Sequence, residues 1–131
     1  MRDYAKFGAP VWTDHWGQVW PVITSCRRLK FKYPAHAALR RHVFHRDGYK
    51  CQRCGLAALS APEGYDGHST LETTKRDKDG WPILLLVDHV LTLKAGGLNV
   101  IENFQTLCQT CNLKKIREDN VAARLYREAR Q

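Results

Sequence analysis

Four cysteines in two matched pairs, Cys51-x2-Cys54 and Cys108-x2-Cys111, restrict this 131-residue chain more than any other feature. A C-x2-C turn offers two thiolates from one tight loop, and two such turns can surround one Zn²⁺ tetrahedrally at about 2.3 Å. The thiols must lose protons and meet at one point, so metal binding becomes folding free energy. Residues 55–107 separate the pairs, a longer interval than a zinc ribbon uses. The site is therefore expected to clamp an early helix–turn unit to a late strand–helix unit. A pair of redox dithiols is the alternative. Met1 to Pro10 carries Arg2, Asp3 and Lys6 and no apolar run, so no secretion signal is expected. Paired cysteines in a reducing compartment bind metal more often than they cross-link, which favours structural zinc and a cytoplasmic location. The fifth cysteine, Cys26, reads as a core thiol.

The length suits one domain with a short appended arm. A core this small gains from a metal staple. The longest aliphatic run, Ile83 to Val87, is far too short to span a membrane. Lys and Arg number 21 against 13 Asp and Glu, a net charge of +8. That excess favours polyanionic partners without specifying one.

Residues 1–33 form an arm with Trp12, Trp16 and Trp20, broken by Pro10 and Pro21 and closed by the basic cluster Arg27, Arg28, Lys30 and Lys32. Irregular structure or a short hairpin is expected there. The tryptophans are assigned to packing. Residues 34–131 form the domain proper. Pro34 to Asp47 has a helical pattern, with Leu39 and Val43 one turn apart. Residues 56–80 are rich in turn formers and charges and are expected to be surface loops, with Asp79-Gly80 able to turn a hairpin. Ile83 to Val90 reads as a buried strand, Lys94 to Leu98 as a loop and Phe104 to Leu107 as a second short strand. From Cys111 a helix is expected, with Leu113, Ile116, Val121 and Leu125 at helical spacing.

A second constellation comprises Asp88-His89, Asn103 and Asn112. Asp88 and His89 fall where the aliphatic strand runs out. A carboxylate there can hold a hard cation through oxygen, and an imidazole can take a proton from water near neutrality. Asn112 follows Cys111 directly, so the cysteine site fixes its place. Taken alone, an Asp-His pair after a strand is more often a capped strand end than a catalytic pair. His42 and His45 are read as polar-face residues; His15, His36 and His68 carry no pattern.

The run from Asp88-His89 through Gly96-Gly97, followed by Glu102-Asn103-Phe-Gln-Thr-Leu-Cys108-Gln-Thr-Cys111-Asn112, resembles an HNH endonuclease. Val43 to Gly55 is similar to the helix and zinc knuckle that often precede that motif. The resemblance spans roughly residues 38–118. It implies an α+β protein with a small ββα-metal (His-Me finger) core, a structural zinc knuckle, flanking helices and the irregular arm. It implies a metal-dependent DNA endonuclease in which His89 is the general base and Asn103 braces the loop that orients it. Asp88 and Asn112 would be ligands of one catalytic divalent cation. Where many members have a final His this chain has Asn112, giving H-N-N, and an amide oxygen shifts preference toward Mg²⁺ or Mn²⁺. Products would carry 5′-phosphate and 3′-hydroxyl ends. One site cuts one strand, so a double-strand break needs a homodimer or two visits.

Arg40, Arg41, Arg46, Lys94, Lys114, Lys115 and Arg117 flank the motif and are candidates for phosphate contacts on double-stranded DNA. Lys114 and Lys115 stand out for their closeness to Asn112. So compact a motif leaves few residues to read bases, and low sequence specificity is expected. Small members of this family are often phage-encoded near packaging genes, which makes packaging proteins candidate partners. Two rival readings remain. One is a non-catalytic, zinc-stabilised nucleic-acid-binding module, which would not need Asp88, His89 and Asn112 together. The other, resting on the aromatic arm, is a phage structural or adaptor protein.

Overall fold

A computed structural model describes residues 11–21, 35–59, 65–67 and 69–131. Cys26, the basic cluster 27–32, Pro34 and His68 lie outside them. The order is β1 (Val11–Thr13), β2 (Val19–Pro21), α1 (Ala35–Arg46), β3 (Leu71–Arg76), β4 (Pro82–His89), β5 (Phe104–Cys108) and α2 (Gln109–Ala129). β1 and β2 pair as a small antiparallel hairpin; β3, β4 and β5 form a three-stranded antiparallel sheet in that order. The chain is mixed α+β, and β4–β5–α2 is a ββα unit.

β4 is aliphatic because its neighbours cover it. Ile83 and Leu85 join Phe44, Leu71, Leu107 and three cysteines in the main core, while Leu39, Val43 and Phe104 form a second cluster beside it. α1 supplies Val43 and Phe44, both fully buried, to both clusters. Beyond Arg46 the helix stops at Asp47-Gly48-Tyr49, where Gly48 and Tyr49 have positive φ. Asp47 Oδ2 accepts from Thr106 N at 2.8 Å, so the turn that ends α1 is pinned to β5.

Two features differ from the expected pattern. Residues 71–76 form a strand rather than loop. Leu71 and Thr73 point inward in alternation with exposed neighbours, and Thr73 donates its hydroxyl to Ile83 O at 2.7 Å. The sheet thus gains a third strand from a segment dominated by charges, and the turn expected at Asp79-Gly80 connects β3 to β4. The second difference concerns α2. The helix is there, but Leu113, Ile116, Val121 and Leu125 are all exposed. Its buried residues are Cys111, Lys115 and Ala123. Two small residues, Cys111 and Ala123, and one ion-paired lysine seat this helix, and the series of large apolar residues faces out.

Candidate metal centre and catalytic cleft

The four-cysteine cluster assembles where α1's exit turn meets the start of α2. Gln52 N donates to Thr106 O at 2.9 Å, which places the first C-x2-C turn against β5. Cys108 caps α2, its sulfur accepting from Cys111 N. The four Sγ atoms of Cys51, Cys54, Cys108 and Cys111 lie within 4.8 Å of one another, and those of Cys54 and Cys108 are 3.7 Å apart. Ligands at about 2.3 Å from a tetrahedral centre sit about 3.8 Å apart, so the spacing fits one zinc ion; a disulfide would need about 2.05 Å. Burial raises the Cys51 thiol, but the backbone N–H groups of Cys54, Cys108 and Arg53 outweigh it and bring the pKa down to about 6. Burial pushes Cys108 up, and Cys111 up to about 12 with its thiol neighbours adding to the effect. Thiols this crowded resist full ionisation unless a dication supplies the counter-charge. The donor set fits a metal.

The second site lies at the end of β4. His89 pairs with Phe104 across the β4–β5 ladder and tilts against its ring, centroids 4.6 Å apart. His89, Asn112 and Arg40 line a cleft of about 370 Å³ with Leu39, Val87 and Phe104. Four elements meet there: α1, β4, β5 and α2.

The loop from 90 to 103 is closed by one side chain. Asn103 Oδ1 accepts from Leu91 N at 2.8 Å, and its Nδ2 donates to Leu91 O at 3.0 Å and Leu98 O at 2.8 Å. Gly97 lies so close to the loop backbone that a Cβ would come within 1.9 Å of Leu91 O. Only glycine fits.

Asn99 is the functional candidate that the sequence did not disclose. Its buried amide Oδ1 lies 2.7 Å from His89 Nε2. An amide oxygen only accepts, so Nε2 carries a hydrogen, and in the neutral ring Nδ1 keeps its lone pair. One asparagine in a loop next to Gly-Gly-Leu gives no periodic signal; only the folded loop brings it to the imidazole.

Asp88 is not in the cleft lining. Adjacent residues on a strand point to opposite faces, and Asp88 turns toward α2, where its Oδ2 lies 3.1 Å from Lys115 Nζ. Lys115 is 2 % exposed and also pairs with Asp119 at 2.7 Å. This corrects the expectation that Lys115 touches phosphate from the surface. Asp88 Oδ2 is itself buried and, among the described residues, has no hydrogen bond of proper geometry. Asn112 lines the cleft and Asp88 does not, so the two expected cation ligands are not brought together by a shared cavity lining.

Other basic residues divide. Lys94, Lys114 and Arg117 are exposed and Arg40 half-buried at the cleft. Lys114, with Lys75, lines a separate cleft beside Cys54, Cys108 and Cys111. The Arg41 guanidinium is committed to the Trp16 ring, 3.4 Å from its centroid. Arg46 donates to Ile101 O and Phe104 O, a structural role.

The HNH endonuclease family model matches residues 77–118, from the β3–β4 turn into α2. Asp88, His89, Asn99, Asn103, Cys108, Cys111 and Asn112 all fall within it; Cys51 and Cys54 precede it. Comparison with curated proteins and with solved structures gave no match. An HNH match points to a nuclease, a class whose members use divalent metals. No helix among the described residues is long and apolar enough to cross a membrane.

Proposed function

We propose that the protein is a metal-dependent endonuclease that hydrolyses DNA phosphodiester bonds. The observation that carries this reading is the pairing of His89 and Asn112 in one cleft, with the His89 ring fixed through Nε2 by Asn99. A ring held at Nε2 presents Nδ1 as the base that takes a proton from the attacking water. Asn103 keeps the intervening loop closed, so Asn99 stays under the imidazole. Arg40 at the cleft is placed to pair with a phosphate oxygen. Asp88 and Asn112 would hold a hard divalent cation, which when bound neutralises charge on the scissile phosphate and the leaving oxygen. Water oxygen would bond to phosphorus as its proton goes to His89, the bond from phosphorus to the 3′ oxygen would break, and that oxygen would take a proton from solvent, leaving 5′-phosphate and 3′-hydroxyl ends. The cysteine cluster holds zinc as a staple for the start of α2 and so for Asn112. Lys94, Lys114 and Arg117 supply contacts that position a duplex without reading bases, which supports low sequence specificity.

The test is relaxation of supercoiled plasmid by the purified chain with Mg²⁺, Mn²⁺ or EDTA, beside His89→Ala of matched zinc content. Metal-dependent nicking is expected in the wild type, falling at least ~10²-fold in the variant. A folded, zinc-loaded wild type that binds DNA but cuts with no divalent metal would favour a non-catalytic binding module.

A further inference from the structure

We infer that Trp16 and Arg41 form a stacking platform for an unpaired nucleotide of the substrate, outside the cleft: the indole takes a base and the guanidinium a phosphate. The inference rests on the reading of the protein as a DNA nuclease and adds that its substrate offers single-stranded bases. The two residues come from different elements. The turn between β1 and β2 is held by Asp14, which is buried and accepts through Oδ1 from Trp16 N and Gln18 N and through Oδ2 from Trp20 Nε1, each at 2.9 Å. Trp20 is buried in that arrangement, whereas Trp16 stays 41 % exposed. Its ring is nonetheless fixed. The Arg41 guanidinium lies 3.4 Å from its centroid, and His15 and His45 meet it in T-shaped contacts at 5.2 and 5.1 Å. A large aromatic ring that is held in place and yet open to solvent can accept one more planar group, and every base has a π face.

Charge selects the kind of group. Arg41 is half-buried, and its Nε has no hydrogen bond among the described residues, so the indole holds this cation and no acceptor does. The acids of the adjoining turns are already engaged: Asp14 by three donors of the hairpin, Asp47 by Arg46 and Thr106 N. Burial lowers the His45 pKa, and His15 and Arg41 lower it further, as a locally positive surface requires. A guanidinium in such a place suits a phosphate oxygen. An apolar peptide would cover the ring and leave the cation unmatched, and a simple anion would match the cation and leave the ring exposed. A nucleotide does both. On α1, Arg41 directly follows Arg40, which lines the cleft, so platform and cleft are neighbours turned roughly 100° apart about one helix. Trp16 and Arg41 are thus binding residues and take no part in the bond cleavage.

The experiment uses the full, zinc-loaded chain in a His89→Ala background with no added divalent metal. Binding of a short fluorescent oligothymidylate, and of a duplex of equal length, is followed by anisotropy. Trp16→Ala is expected to weaken the single strand about tenfold, or ~1.4 kcal/mol, and to leave the duplex unchanged. Trp16→Phe keeps a π face and should recover most of the loss. Arg41→Gln should reduce the slope of log K against log salt for the single strand by about 0.7, which a merely structural arginine would not do. Unchanged single-strand binding by Trp16→Ala, or an equal loss for strand and duplex, overturns the inference. If that variant does not fold, the Arg41→Gln slope decides alone, and an unchanged slope overturns it. Polyglutamate that displaces the strand as well as unlabelled oligothymidylate does would mark a site for an acidic protein segment and overturn it too. The two readings fail separately. A wild-type chain that binds neither strand nor duplex ends the nuclease reading, whereas duplex binding with no effect of Trp16 or Arg41 on the single strand ends only the platform.

Discussion

The cysteine cluster takes its four donors from one tight turn, Cys51 to Cys54, and from the junction of β5 with α2, Cys108 to Cys111, whereas the candidate residues Asp88, His89, Asn99 and Asn112 come from a strand end, a loop and a helix. Each C-x2-C pair brings two thiols together by local geometry, and a bound metal would join the pairs. The cleft needs a strand register and a braced loop before His89 and Asn112 face one cavity. α2 joins them: Cys111 and Asn112 are consecutive, so an ion held by the cysteines would also fix the place of Asn112 in the cleft. The cluster is therefore the part whose loss should remove both sites, while damage to the cleft should leave the cluster intact.

The largest effect tests that asymmetry from the cysteine side. Cys108 is buried, caps α2 and lies 3.7 Å from Cys54. Zinc in such sites contributes ~10 kcal/mol or more of apparent binding free energy, against a typical domain stability of ~5–15 kcal/mol. Cys108→Ala should lose zinc, cooperative thermal unfolding and any cleavage together. Retained zinc at one equivalent per chain, by metal analysis with circular dichroism, would break the comparison.

The same contrast governs what could be read from sequence. C-x2-C spacing is local, so the cluster was legible before folding, as were β4, β5 and both helices from their apolar runs. His89, Asn103 and Asn112 were legible only as members of a resembling motif. β3 was hidden because Leu71 and Thr73 alternate with charges in a segment full of turn formers. α2 misled in a more instructive way. Helical spacing of Leu113, Ile116, Val121 and Leu125 gave the helix correctly, but periodicity does not say which face is buried. With Cys111 tied to the cluster and Lys115 to two carboxylates, the face that carries Cys111, Lys115 and Ala123 is inside. Asn99 was out of reach because its partner is ten residues away across an irregular loop.

A smaller effect probes the cleft alone. Asn103→Ala removes three hydrogen bonds to loop backbone, at Leu91 N, Leu91 O and Leu98 O. These groups regain water in part, because the site is partly exposed, so the stability cost should stay at ~1–3 kcal/mol. Cleavage should fall further, by ~10²-fold, since a ring displaced by about 1 Å costs that much. Zinc content should not change. A stability loss with full activity would mean that the loop holds His89 without this brace.

The smallest effect concerns a third region, which holds neither site. The β1–β2 hairpin leans on α1 through Trp12 against His42, Trp16 against His45, and His15 stacked on His45 at 3.9 Å. Burial lowers the His42 pKa, with Arg46, His15 and His45 lowering it further and Asp14 opposing them. Burial also lowers His45, assisted by His15 and Arg41; Trp16 and Tyr49 complete its surroundings. Both histidines thus bind protons less readily when the hairpin is docked. Their contribution is complete above the unfolded value near 6.5 and is lost as pH falls below it toward the depressed folded values. Tryptophan fluorescence should therefore report a loosening of the hairpin between pH 7 and pH 5, with the melting temperature dropping by a few degrees at most. His45→Gln should blunt the change, because it removes one of two stacked imidazoles and the repulsion between them. Zinc release over the same interval, rather than after it, would mean that the hairpin and the cluster are not independent.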